Sequence, residues 1–205
     1  LKRLTQTLTP DHPAMKYTKL ITKNVIRIQR LVNQLLQFRE IESNTIRPCP
    51  SSGDLILYVS ELFDMFIPLA EGKYIITQVD SYSDKLLVSF DHELIEKIFS
   101  NLFSNAIKYT PEGGTIKIYM SPTQEQQLII EDTGIGIRSE DLPRIFERGY
   151  SGFNGRIHEK STGLGLFLSQ EITKRLGHDL RIESTLGKGT KVTIDLAREP
   201  LRRDH

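Results

Sequence analysis

Asn101-Leu102-Phe103-Ser104-Asn105-Ala106-Ile107-Lys108-Tyr109-Thr110 is the stretch on which the reading of this chain turns. Asn101 and Asn105 are four residues apart and Lys108 follows three later, so on a helix the three polar groups share one face. Ile95, Ile98, Phe99, Leu102, Phe103, Ala106 and Ile107 cover much of the remainder, which predicts a largely buried helix opening at Asp91 as N-cap. Amides inside such a segment need partners, because a buried polar group without a hydrogen bond is costly. The helix alone leaves two readings open: a structural amide pair bonded to nearby backbone, or a ligand site.

Downstream, Pro111-Glu112-Gly113-Gly114 makes a tight turn, and Thr115–Met120 with Gln127–Glu131 reads as a hairpin pair. The second strand runs into Asp132-Thr133-Gly134-Ile135-Gly136-Ile137, an acidic residue and two spaced glycines that suit a ligand loop better than a simple turn. Ser139–Phe146 is expected as a short helix capped by Ser139. Glu147–Thr162 has no hydrophobic period, and a structureless stretch of this length reads as a functional lid or disorder. A helix from Leu164 to Leu176 ends at Gly177. Strands Asp179–Ser184 and Lys191–Leu196 then enclose Leu186-Gly187-Lys188-Gly189-Thr190. Gly163 and Gly165 precede a helix N-terminus, where free N–H groups favour phosphate. No Lys-Ser or Lys-Thr follows them, so this is not a P-loop. The βαβ alternation of a dinucleotide fold is also missing.

Upstream, Asp54 is expected to cap a helix carrying Leu55, Val59, Leu62, Phe63, Phe66 and Leu69, bent near Pro68. Tyr74–Val79 and Leu86–Phe90 read as strands. Ser43 to Ser52 is rich in turn formers and reads as a linker, with Thr45-Ile46-Arg47 as a short strand within it. Before it, a helix from Met15 to Ser43 places Ile21, Ile28 and Leu35 on one heptad position and Asn24, Leu31 and Phe38 on another. A lone helix cannot bury such a seam, so it needs a hairpin partner or a second chain. Thr9-Pro10-Asp11-His12-Pro13 reads as the turn of that hairpin, and Leu1–Thr9 as the tail of its first arm.

Composition narrows the function classes. The 205 residues are 38% hydrophobic and 26% charged, as in a soluble globular protein. A net charge of +1, with no basic run interleaved with aromatics, gives no support for nucleic-acid binding. The single cysteine, Cys49, excludes an intrachain disulfide framework and a multi-cysteine metal site. No apolar run reaches the roughly 18–20 residues of a membrane span. The chain opens on Leu1, which suggests a cytoplasmic piece of a longer protein whose membrane segments lie elsewhere.

In order and spacing, Asn101–Thr110, Asp132–Gly136, Phe146 with Arg148, Gly163–Leu166 and Gly187–Thr190 resemble the N box, first glycine box, F box, and second and third glycine boxes of sensor histidine kinases. The likeness covers Asp54 to Leu196. Leu31-Val32-Asn33-Gln34-Leu35-Leu36-Gln37-Phe38-Arg39 resembles the second dimerisation helix of that family, in wording most similar to hybrid two-component sensors of Bacteroidetes. The resemblance implies an α+β fold, a two-layer sandwich of a mixed β-sheet packed on helices, preceded by a helical hairpin fragment. Residues 1–45 would be the end of the dimerisation and phosphoacceptor domain and residues 46–205 the catalytic ATP-binding domain.

It also implies roles on the matching positions. Asn105, with Asn101, would hold Mg²⁺, for which amide oxygens are suitable hard ligands. Lys108 would meet the phosphates of ATP as a point charge, and Tyr109 would line the site. Asp132 would accept a hydrogen bond from the adenine amino group, and Gly134 and Gly136 would let backbone pass close to the base. Thr162, Gly163, Leu164, Gly165 and Leu166 would bring N–H groups to the phosphates, Phe146 would anchor the lid, Arg148 would reach the γ-phosphate, and Thr190 would join the adenine side. Implied partners are a second copy bound through the N-terminal helices and a response-regulator receiver domain, with no nucleic acid.

The chain departs from the family at the phosphoacceptor. His12, in Asp11-His12-Pro13, lacks the local pattern, and His92, His158, His178 and His205 do not fit either, which places the acceptor upstream. Ser161 stands where the family often has glycine. Two other readings stay open: a hydrolase of the superfamily that includes gyrase, mismatch-repair and heat-shock chaperone ATPases, and a non-catalytic nucleotide-binding or dimerisation module. Those hydrolases carry a glutamate where this chain has Asn101, because hydrolysis needs a base to activate water.

Overall fold

A computed structural model describes residues 13–43, 45–80, 85–121, 126–152 and 162–196. The chain divides into two compact units, Leu1–Thr45 and Ile46–His205.

In the first unit, helix α1 (Pro13–Glu42) opens on a proline, whose missing N–H costs nothing at that position, and carries Arg39 in its last turn. Ile21, Ile28, Leu31 and Leu35 of the heptad seam are exposed, as are Val25 and Val32 beside it, whereas Phe38 and Ile41 are buried. The expected first arm of the hairpin and the His12 turn lie outside the described residues.

The second unit begins with β1 (Ser51–Asp54), α2 (Leu55–Asp64), α3 (Ile67–Glu71), β2 (Ile76–Asp80), β3 (Leu87–Phe90) and α4 (His92–Tyr109). It continues with β4 (Thr115–Met120), β5 (Gln127–Asp132), a 3-10 turn at Leu142–Arg144, α5 (Gly165–Arg175), β6 (Asp179–Thr185) and β7 (Gly189–Asp195). Five strands form one sheet in the order β2-β4-β5-β7-β6. All its pairings are antiparallel except β2 with β4, so the sheet is mixed. Helices α2 and α5 both contact α4, giving a helical layer over the sheet. This is the α+β architecture the sequence implied.

The core lies between the layers. Ile116, Ile118 and Met120 alternate inward on β4 and meet a helical layer built from Phe63, Phe99, Phe103, Leu168 and Ile172, all buried. The Phe103 ring has Phe63 at 4.9 Å and Phe99 at 5.6 Å, tilted contacts that suit aromatic quadrupoles. On the opposite face Lys117, Glu131, Lys191 and Glu183 fall in register across four strands, an alternating charge row that suits water.

The structure differs from expectation in several local respects. Thr45–Arg47 is not a strand; the strand is Ser51–Asp54, paired with β3 in a separate two-stranded sheet. The helix capped by Asp54 breaks after Asp64, and a five-residue helix restarts before Pro68. Ser139–Phe146 forms only the 3-10 turn, which Asp141 flanks without capping through its side chain. Asp91 does cap α4, accepting from Leu94 N at 2.9 Å, while its other oxygen accepts from Cys49 N at 2.7 Å.

Candidate functional site

Helix α4 carries Asn101, Asn105 and Lys108 on its half-buried side, with Tyr109 as its last residue. The end of α4 is bound from a distance: Lys73 Nζ donates to the carbonyls of Ile107 at 2.6 Å, Thr110 at 3.0 Å and Lys108 at 3.3 Å. A cation at the helix C-terminus satisfies carbonyls that lack intrahelical partners. Lys108 Nζ lies 5.0 Å from the Tyr109 ring centroid.

Asp132 closes β5 beside this end. It is 8% exposed, and its Oδ1 accepts from Gly134 N at 2.8 Å. Burial pushes its carboxyl from 3.8 up to about 6, only partly opposed by the backbone bonds from Gly134 and Thr190. The loop it opens is tied to α4, since Ile135 N donates to Tyr109 O at 3.1 Å. Glycine is required at Gly134, where a Cβ would lie 2.5 Å from Asp132 Oδ1 and 2.8 Å from Tyr109 O.

The third glycine cluster lies against the same carboxylate. Thr190 pairs with Asp132 across β5 and β7. Thr190 Oγ1 is also 3.0 Å from Ser184 Oγ, which in turn accepts from Ile137 N at 2.9 Å. The second cluster reaches α4 from the other side: a Cβ on Gly165, at the start of α5, would stand 3.3 Å from Asn101 Oδ1. Gly163 holds φ +67° against the backbone of Gly149 and Tyr150, and Gly149 N donates to Gly163 O at 3.1 Å. Thr162 Oγ1 accepts from Leu164 N at 3.3 Å.

The five boxes thus form one neighbourhood: a buried carboxylate at the sheet edge, the amide-bearing end of α4 and the N-terminus of α5. Residues 90–200 match the family model described as histidine kinase-, DNA gyrase B- and HSP90-like ATPase. The chain belongs to that family. Within it, this is a histidine-kinase ATPase catalytic domain, homologous to many two-component sensor kinases. The sensor histidine kinase WalK of Bacillus subtilis is 31% identical over 183 residues, 86% of this chain and 30% of WalK. The chain spans between 14% and 52% of the length of the first curated relatives it matches. Full-length ShkA in complex with AMPPNP shares the fold with a TM-score of 0.73 at 21% identity, over 98% of this chain and 43% of that one. The histidine kinase ThkA in complex with the response regulator TrrA gives 0.71 at 21% identity, over 98% and 56%.

In this kinase-type domain Phe146 and Arg148 lie just past the 3-10 turn, Phe146 half-buried and Arg148 exposed. They join the other residues through the backbone at Gly149. Ser161 lies outside the described residues. Among the described residues no group of three or more His, Cys, Asp or Glu could hold a metal, which leaves the α4 amides as candidates for a hard cation. Sequence reading missed Lys73 and Ser184, because a side chain that acts on backbone far along the chain leaves no local pattern. It also missed Asp141, which is buried and accepts from the Tyr150 phenol at 2.5 Å.

Proposed function

We propose that this chain binds Mg²⁺-ATP and is the catalytic portion of a two-component sensor histidine kinase, moving the γ-phosphoryl group to a histidine other than the five in this sequence, for relay to a receiver aspartate. The observation that supports this best is the approach of Gly165 to Asn101. It brings a helix N-terminus, apt for phosphate, to the amide face of α4. The shape of the site fits a nucleotide: Gly134 and Gly165 leave open the space beside Asp132 and Asn101 that side chains would fill.

Bound Mg²⁺-ATP supplies the phosphoryl group and the counter-charge for its oxygens. Asp132 accepts from the adenine amino group, Gly134 and Gly136 let the base approach, and Thr190 holds that side through Ser184. Asn105 and Asn101 offer amide oxygens to the cation, and Lys108 and Arg148 offer positive charge to the phosphates. Tyr109 lines the site, residues 162–166 present backbone N–H groups, and Phe146 anchors the segment that carries Arg148. Asn101 has no basicity with which to activate water, so the site favours holding ATP for transfer over hydrolysis.

The exposed seam of α1 supports a homodimer, and the resemblance of Leu31–Arg39 to Bacteroidetes hybrid sensors extends the proposal to a receiver in the same parent protein. Among the described residues no helix is long and apolar enough to cross a membrane. In this reading, anchoring would belong to other parts of a membrane-bound sensor, with this portion in the cytoplasm. Calorimetric titration should show binding of Mg²⁺-ATP and ADP, and labelled ATP should leave no acid-labile phosphate on the chain. Absence of nucleotide binding overturns the proposal; acid-labile phosphate on this chain overturns the placement of the acceptor.

A further inference from the structure

Asp141 and Tyr150 bracket the segment that carries Phe146 and Arg148. Asp141 is 8% exposed, and its Oδ1 accepts from the Tyr150 hydroxyl at 2.5 Å. A charge-assisted bond in a partly desolvated place is short and directional. Backbone closes the other oxygen, since a Cβ on Gly152 would stand 2.9 Å from Asp141 Oδ2. The Tyr150 ring is held too: the Arg144 guanidinium lies 4.3 Å from its centroid and forks onto Glu147 at 2.9 to 3.2 Å. Through its own backbone Tyr150 meets the second glycine cluster. A Cβ on Gly163 would stand 2.5 Å from Tyr150 O and 2.4 Å from the carbonyl carbon of Gly149. Contacts therefore run from the Asp141 carboxylate through Tyr150 to Gly163, two residues before the glycine that packs on Asn101.

We infer that Asp141 and Tyr150 are a positioning pair that sets the N-terminus of α5 against Asn101, and so governs how tightly phosphates are held, without either residue touching the nucleotide. The inference rests on the nucleotide reading of the site. The adenine side, built on Asp132, Gly134 and Thr190, hangs on the sheet and does not depend on this relay. A pair that only closed a loop would affect every ligand of the site alike. A positioning pair affects the phosphates.

The test is calorimetric titration of the full chain and its variants with Mg²⁺-ATP and, separately, with adenosine. Tyr150→Phe keeps the ring and removes the hydroxyl; Mg²⁺-ATP affinity should fall about tenfold, the worth of one hydrogen bond to a charged group, with adenosine affinity within twofold of wild type. Gly152→Ala presses on the carboxylate from the other side and should repeat the ATP-selective loss. Asp141→Asn, which keeps an acceptor oxygen, should hold Mg²⁺-ATP affinity within about threefold. Equal losses for both ligands in Tyr150→Phe, or unchanged Mg²⁺-ATP affinity, overturn the inference. Should Tyr150→Phe fail to fold, Gly152→Ala decides on the same criterion. A wild-type chain that binds neither ligand overturns the nucleotide reading and this inference with it, whereas wild-type binding with an unselective variant overturns the inference alone.

Discussion

Gly165 faces Asn101 so closely that a Cβ on the glycine would stand 3.3 Å from the asparagine Oδ1. That separation is tighter than an ordinary van der Waals contact, so Gly165→Ala must displace the amide by a few tenths of an ångström. Alanine is otherwise welcome at the start of α5, where it gains up to about 1 kcal/mol of helix propensity over glycine. Stability and binding should therefore separate. The unfolding midpoint of Gly165→Ala should be unchanged or slightly raised, while Mg²⁺-ATP affinity falls on the order of fivefold, as expected when a ligating group is misplaced. Thermal unfolding and calorimetry on the same preparation check both halves.

Gly187 and Gly189 lie two residues apart in one turn, yet they should respond very differently to the same substitution. Both have positive φ, +77° and +123°, but a Cβ on Gly187 meets nothing within 4 Å. A Cβ on Gly189 would stand 1.9 Å from the Asp132 carbonyl oxygen. Gly187→Ala should cost about 1–2 kcal/mol, the strain of a left-handed residue with a side chain. Gly189→Ala must also push β7 away from β5, and should cost more than about 4 kcal/mol, the range reached when backbone contacts are broken. Denaturant melts monitored by far-UV circular dichroism would give the two values; similar costs would mean that β7 is free to give way at Asp132.

What was legible in the chain was what depends on neighbours in sequence. Helix α4 could be read because its apolar residues recur at three and four positions and Asp91 stands ready as a cap. The strands on either side of the Gln127 turn could be read because they alternate and pair with each other. The pairing of β2 with β4 could not, since a parallel partner across an intervening helix leaves no trace in either strand. Ser51–Asp54 has no apolar alternation and is a strand only because β3 is there to pair with it. Ser139–Phe146 looked helical, but Asp141 spends its side chain on Tyr150 rather than on a cap. In the site, glycine spacing was visible, yet the reason for each glycine was a backbone tens of residues away.

Lys73 illustrates the same point and can be tested directly. Its ammonium satisfies three carbonyls at the end of α4, from 34 to 37 residues away in sequence. Lys73→Met keeps most of the aliphatic stem and removes the charge, leaving those carbonyls to water or to none. A loss of about 1–3 kcal/mol is expected, the cost of partly buried acceptors without a partner. Because these carbonyls belong to the turn that carries Lys108 and Tyr109, Mg²⁺-ATP affinity should weaken as well. Lys73→Arg, which restores a cation with a different shape, should recover part of the stability. Urea unfolding that places Lys73→Met within 0.5 kcal/mol of wild type, near the scatter of surface substitutions, would show that the cap contributes little.

The Asp132 carboxyl, held up at about 6 from 3.8 by burial, ties nucleotide affinity to pH. The folded chain binds this proton more tightly than the unfolded chain does. Between about pH 4 and pH 6 the fold therefore holds the extra proton, and this group's contribution to stability falls as pH rises through that window. Ligand binding runs the opposite way, because the ionised form is the better acceptor for an adenine amino group. Adenosine, which carries no phosphate to titrate, isolates the effect. Its affinity for the wild-type chain should drop as pH falls from 7.5 to about 5, and for Asp132→Asn it should be weak throughout with little slope. Over the same range the difference in unfolding free energy between wild type and Asp132→Asn should move on the order of 2 kcal/mol in favour of wild type as the solution is acidified. The two slopes have opposite signs and one origin, so a flat adenosine profile in the wild-type chain would remove Asp132 from the adenine contact even if the stability slope appeared.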